Sequence, residues 1–432
     1  MGNKSAVYTL IRNVRIIGGP SDGSDVGSIL FKRGEKGASE VLAIGPGVKP
    51  DESVMKNCWV YNGRHYYACP GFTDLTLHVC EPGEMSRETL KQAALAANVG
   101  GVTSALTLHD LSGKPQNGAG DIVNYIRSTG ENYPCRFFPS ARLYKNDDAS
   151  SLPYGSAAAI YVLPPYDEDE LFKAMCLCAE NDRTLFFGCA DRADGMTYSQ
   201  KTAKSFRLPA VAAYKHDARL ATALIMAEKA GCRIHIHAVN TESKTELIKI
   251  AKDRGVRVTC DTCPQYFTFN DSDIYFYGSS LKLSPPLASA SDCKAIIRSL
   301  ADGTIDCISS DHTPAVKTAK SAKPLPLSEA GCGMIGLQTL FSASYTALVK
   351  PDDSIISLEK LICLLSLNPA RILGRESALR VGSDADVTLF TTEGESKFSP
   401  ENNISSHANT PYVHKYLTGS VIKSFSKGIS LS

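Results

Sequence analysis

Four short segments hold the residue types that can do metal or proton-transfer chemistry: Asp74 to His78, His235-Ile236-His237, Cys260 to Gln265, and Ser310-Asp311-His312. Each follows or ends an apolar, β-branched run, so each belongs at the end of a strand. Histidine and aspartate are the ligand types that a borderline cation such as zinc prefers. Period-two spacing puts His235 and His237 on the same side of their strand. The competing reading is that these histidines are satisfied core or loop residues. Cys260 and Cys263 form a C-x-x-C pair with no second pair at zinc-ribbon spacing, so strand-end packing accounts for them.

The elements that must position these residues alternate along the middle of the chain. Strand-like YYACPGFTDLTLHV precedes helical SRETLKQAALAANVGG, with Ser86 and Thr89 as cap candidates and Gly100 as a stop. VTSALTL, DIVNYIRSTG, AAAIYVL, DEDELFKAMCLCAEN, TLFFGCA, DARLATALIMAEKAGC, RIHIHAV and ESKTELIKIAKDRG continue the rhythm, and the acidic run Asp167 to Glu170 suits a helix start. A β–α unit every ~25–40 residues is the mark of a parallel sheet, and seven or eight such units favour a closed (β/α)8 TIM barrel with its chemistry at strand C-terminal ends. Both ends of the chain read instead as short strands with turns. The expected architecture is α/β: a barrel over residues 67–378 and a small β-sandwich domain formed by both termini, residues 1–66 and 379–432.

Composition excludes several functions. The chain has 432 residues, 46 Lys+Arg against 45 Asp+Glu, a net charge of +1 and 43% hydrophobic residues. So even a balance gives no electrostatic case for binding nucleic acid or a membrane surface. No apolar run reaches the ~18 residues of a membrane span. Fourteen scattered cysteines without a secretory signal pattern read as reduced thiols, and the expected location is cytoplasmic. His65, His216, His407 and His414 are expected at the surface or between domains.

GFTDLTLHVCEPG resembles the G-F-x-D-x-H-x-H-x-x-x-P-G opening of the cyclic amidohydrolases, which include dihydroorotases, hydantoinases and dihydropyrimidinases. The resemblance continues through AANVGGVTSALTL, RIHIHAVNTES, CDTCPQY, SPPL, ADGTIDCISSDHTP, LNPARILG and VGSDADVTLF, nearly the whole chain. It implies a (β/α)8 barrel flanked by a β-sandwich built from both ends. It also implies hydrolysis, or reverse formation, of a cyclic amide such as dihydroorotate. The family uses one or two divalent metals to generate hydroxide, with an Asp as proton shuttle.

Carried over residue by residue, the resemblance leaves His78, His237 and Asp311 as a remnant metal site, with Asp311 also in the catalytic role. Thr76 stands where the first histidine of the opening pair is expected, Ala159 where a bridging carboxylated lysine is expected, and Gly188 where the next ligand histidine is expected. On the substrate side, Cys80 replaces an arginine, Asp110 an asparagine, Ala315 a histidine and Ala288 an arginine. Cys80, Asp110, Ser284 and His312 are the expected pocket residues. Two dications ~3.5–4 Å apart repel by about 20 kcal/mol at an effective dielectric near 20, so they need an anionic bridge between them. The expectation is therefore no cofactor or a single zinc, never a binuclear centre. The leading functional expectation is a pseudoenzyme of pyrimidine metabolism, a homo-oligomeric scaffold or regulatory subunit for a partner such as aspartate carbamoyltransferase. The alternative is an active single-metal hydrolase of dihydroorotate or a related cyclic ureide or imide.

Overall fold

The computed structural model describes residues 7–19, 26–33, 39–109, 118–191, 196–315, 327, 330–350, 354–413 and 415–430. Eight barrel staves follow one another in parallel. They are β6 (Phe72–Val79), β7 (Val102–His109), a third stave of β8 (Arg136–Pro139) and β9 (Ala141–Leu143), β10 (Ala159–Val162), β11 (Thr184–Gly188), β12 (Arg233–His237), β13 (Val258–Thr262) and β14 (Cys307–Ile308). The third stave breaks at Ser140, whose N–H and hydroxyl both donate to the Thr107 carbonyl, which keeps the wall continuous across the break. β6 and β7 are buried at every residue, as strands covered on both faces must be. Helices coat the outside. Thr89 begins Leu90–Val99 with a capping box to Gln92, and Asp167 caps Glu168–Glu180 through the N–H groups of Asp169 and Glu170.

The barrel closes where β14 gives way to irregular chain, and side chains complete the seam. Ser310 donates from its N–H (2.8 Å) and its hydroxyl (2.6 Å) to the two oxygens of Asp74. The Asp311 N–H donates to Thr76 Oγ1 at 2.9 Å, and the His78 N–H to the His312 carbonyl at 3.1 Å. Leu75, Leu106, Leu108, Ala159, Tyr161, Phe186 and Cys307 pack together as a fully buried interior layer.

Strands from both chain ends share one further sheet. They are β1 (Tyr8–Ile16), β2 (Val26–Arg33), β3 (Ser39–Gly45), β4 (Cys58–Asn62), β5 (Tyr67–Pro70), β15 (Val387–Lys397) and β16 (Tyr416–Phe425). Their order is β16-β15-β5-β1-β2-β3, with β4 also on β1. β1 forks, pairing through Tyr8–Arg12 with β4 and through Arg15 and Ile16 with β5. The fork lets the sheet fold over, so that Phe425 of β16 meets Phe31 of β2 (ring centroids 5.1 Å) and Tyr61 of β4 (5.6 Å) in a sandwich core. Among the described residues, no helix is long and apolar enough to cross a membrane.

Candidate functional site

Strand direction and alternation decide which residues reach the C-terminal mouth of the barrel. His78 comes from β6, His237 from β12, and Asp311 from the chain just past β14. One ligand atom from each lies within 4.8 Å of the others, all three residues are buried, and no other such group occurs among the described residues. Asp311 Oδ1 is 3.3 Å from His78 Nε2 and 3.4 Å from His237 Nε2. Gln265 Nε2 donates to the other Asp311 oxygen at 3.3 Å. Asp311 holds this position at φ 49°, a left-handed backbone unusual for a residue with a side chain.

Behind His237 stands Asp261, fully buried on β13. Its Oδ1 is 3.1 Å from His237 Nδ1 and accepts the Ala238 N–H at 2.8 Å, while its Oδ2 is 3.2 Å from His235 Nε2 and 3.1 Å from the Ser309 hydroxyl. Burial alone would push the His237 ring toward neutrality. The Asp261 charge, with hydrogen bonds to Asp261 and Asp311, outweighs burial and holds the ring up at about 10. Burial would likewise raise Asp261, but the His237 charge and bonds from both histidines hold its carboxyl well below the ordinary range. His235 is not part of the cluster: Nδ1 is engaged by Thr259 (2.9 Å) and Nε2 by Asp261. Asp74 is likewise committed to Ser310, and burial raises its carboxyl above the ordinary value.

The cavity above the cluster is lined by, among others, Tyr161, Leu163, Gly188, Cys189, Ser284 and Thr313. It holds about 450 Å³ of empty space, part of it open to solvent. Of the residues expected there, Ser284 is in the wall; Cys80 and His312 are buried but do not line it, and Asp110 lies outside the described residues. His312 Nε2 pairs instead with the Glu88 carboxylate at 2.9 Å. Ala159 lies in the interior layer below the cavity; two residues along, on the same side of β10, Tyr161 reaches it. Gly188 does line it, but Leu163 leans over the position, so that an added Cβ would lie 2.2 Å from Leu163 Cδ2. Tyr161 and Leu163 have no motif of their own, and Asp261 lies inside the Cys260 to Gln265 segment without a role assigned to it by the sequence. Asp261 could have been found from strand neighbours, since pairing of Ile236 with Cys260 puts it beside His237. His216, expected at the surface or between domains, is fully buried on Ala213–Ala230 and bonded to the Tyr198 hydroxyl at 2.8 Å.

His78, His237 and Asp311 suit one borderline cation, with Asp261 orienting His237 from behind in the usual carboxylate–histidine manner. Among the described residues no carboxylate lies between the cluster and β10, and the Gly188 side of the cavity is filled by Leu163.

Residues 191–428 match the model of the amidohydrolase family. The dihydroorotase of Syntrophus aciditrophicus is 31% identical over 372 residues, covering 83% of this chain and 85% of that protein. This chain is a member of the amidohydrolase family. Within it the chain is a dihydroorotase-like cyclic amidohydrolase homologue: the dihydroorotase of Pelotomaculum thermopropionicum is 30% identical over 81% of this chain and 83% of its own length. The L-hydantoinase of Arthrobacter aurescens superposes with a TM-score of 0.81 at 21% identity, over 98% of this chain and 96% of that one. The dihydropyrimidinase of Brevibacillus agri does so at 0.80 and 19%, over 98% and 94%. At these identities the structural likeness establishes the fold: the barrel with its β-sandwich, as read from the sequence.

Proposed function

We propose that this amidohydrolase has lost two-cation hydrolysis and acts as a non-catalytic scaffold or regulatory subunit in pyrimidine metabolism. The first partner to test is aspartate carbamoyltransferase. The observation that carries this reading is the make-up of the ligand set: among the described residues only His78, His237 and Asp311 converge as a metal-binding group, while Thr76, Ala159 and Gly188 stand at the other ligand positions that the family resemblance implies. Tyr161 and Leu163 put neutral side chains on the β10 side of the cavity, and among the described residues no Lys or Arg lines it to meet a substrate carboxylate. The same reading makes the protein a cytoplasmic homo-oligomer, to be checked by light scattering on the purified chain.

A second reading is favoured by the convergence of His78, His237 and Asp311: a one-cation hydrolase of dihydroorotate or a related cyclic ureide or imide. A bound zinc would supply Lewis acidity and an acidified water. Asp311, 3.3 and 3.4 Å from the two histidines, is placed to take and return the proton, and Asp261 would hold the His237 tautomer.

The experiment is turnover of dihydroorotate and hydantoin by zinc-supplemented protein, beside Asp311→Asn. The scaffold reading expects no turnover above the variant, together with a complex on mixing with aspartate carbamoyltransferase. Turnover abolished by Asp311→Asn would replace it with the one-cation hydrolase, and failure to form the complex would remove the named partner.

A further inference from the structure

Asp311 is held in a conformation that it would not choose. A non-glycine residue at φ 49° carries strain of about 1–3 kcal/mol and persists only where its surroundings over-determine it. On its N-terminal side the Ser310–Asp74 bonds supply part of that constraint. On its C-terminal side the constraint comes from a loop distant in sequence, the one joining β6 to helix Leu90–Val99.

Two consecutive residues of this loop, Arg87 and Glu88, grip the two residues that flank Thr313. The Arg87 guanidinium donates to the Pro314 carbonyl from Nε (3.0 Å) and Nη2 (2.8 Å), and its Nη1 meets Glu84 at 2.6 Å. Glu88 is 2% exposed and His312 1%. Glu88 Oε2 lies 2.9 Å from His312 Nε2, and Oε1 accepts the hydroxyl of Ser405 from the C-terminal segment. The other side of the ring, Nδ1, accepts the Gly336 N–H at 3.2 Å. The His312 N–H, in turn, donates to Ser310 Oγ at 3.1 Å. A buried carboxylate is costly unless it is bonded; here Oε2 fixes the ring of the residue next to Asp311, and Oε1 is satisfied separately by Ser405.

We propose that Arg87 and Glu88 form a clamp on residues 312–314, and that Glu88, acting through the His312 ring, is a positioning residue that keeps the Asp311 carboxylate against His78 and His237. The clamp works whether or not a cation binds, so it stands apart from the functional reading above. Neither residue touches the cluster or lines its cavity. Their effect passes through the backbone between His312 and Asp311.

The test is crystallographic, on full-length Glu88→Gln, His312→Gln and Ser405→Ala, reading the Asp311 φ angle and its distances to both histidines. Glu88→Gln keeps the size of the side chain and removes its charge. His312→Gln removes the ring from the other side of the same contact. Ser405→Ala cuts only the second carboxylate oxygen. The clamp predicts that the two variants at the contact release Asp311 from positive φ and move its carboxylate by about 1 Å, the scale at which a reactive constellation fails. Ser405→Ala should leave it in place. Either contact variant suffices if the other does not fold. Asp311 unmoved in a folded contact variant, or moved as far by Ser405→Ala, would overturn the proposal and leave Glu88 with a general stabilising role.

Discussion

Leu163 occupies the space that any side chain at position 188 would need: a Cβ on Gly188 would lie 2.2 Å from Leu163 Cδ2, a separation that real contacts do not reach. The two residues face each other from neighbouring staves, β11 and the chain just past β10, and both line the cavity above the buried cluster. Glycine and leucine here form one packing unit, which fills the flank of the site with hydrocarbon in place of a ligand.

This unit predicts coupling. Gly188→Ala forces Leu163 to move and should cost about 1 kcal/mol, the low end for overpacking, because only the far end of a flexible side chain stands in the way. In Leu163→Ala the same change should cost less, giving an interaction energy of about 0.5–1 kcal/mol in a double-mutant cycle by urea denaturation. Additive effects would show that the contact is relieved elsewhere.

Thr76 has taken on a different task from metal binding. Its hydroxyl accepts the Asp311 N–H at the barrel seam, and both residues are buried. Thr76→Val keeps the shape and removes the acceptor, leaving a buried donor unmet at a cost of about 1–3 kcal/mol. A thermal melt of the variant matching that of the parent would refute the role.

Asp261 and His237 make the stability of the fold depend on pH in a definite direction. The raised His237 contributes stability that is fully present below its unfolded value of about 6.5 and is lost as pH rises towards about 10. The depressed Asp261 contributes stability that is present above the ordinary carboxylate range and is lost as pH falls through its lowered value. Urea midpoints of the parent should therefore decline from about pH 6.5 towards 10. In Asp261→Asn that decline should largely vanish, alongside a loss of about 3–5 kcal/mol from breaking a buried pair. Parallel pH profiles for the two proteins would contradict the pairing.

The same charge governs cation uptake. With His237 held as imidazolium up to about 10, a cation that binds Nε2 must expel a proton, so affinity should rise with pH. Calorimetric zinc titrations in two buffers of different ionisation enthalpy measure that proton. Identical heats in both would mean that His237 is not a ligand.

Much of the architecture was legible because parallel staves buried on both faces leave near-continuous apolar runs, which helical periods interrupt at regular distance. His78, His237 and Asp311 could be picked out because polar residues that end such runs must emerge at the barrel mouth. The height of a residue within the barrel was not legible. Ala159 and Tyr161 share one side of β10, and only the stagger of neighbouring strands decides which of them meets the cavity. AAAIYVLPPY likewise carries no mark that Leu163 will cover Gly188, because that contact is made in packing. The segment Cys260 to Gln265 stands out in the sequence, but the role of Asp261 within it does not, because its partners come from the adjacent stave across a register that the sequence does not print. His216 was misplaced because the helix buries a histidine where its Tyr198 partner satisfies the ring.

The number of cations that the mouth of the barrel can hold separates the two readings of this protein from a two-cation enzyme. Crystals of the full chain soaked in zinc, with anomalous data collected across the zinc edge, count them directly. The predicted map has at most one peak, bounded by His78, His237 and Asp311, with Leu163 still packed over Gly188. Two peaks, with a ligand or bridge recruited on the β10 side, would contradict it.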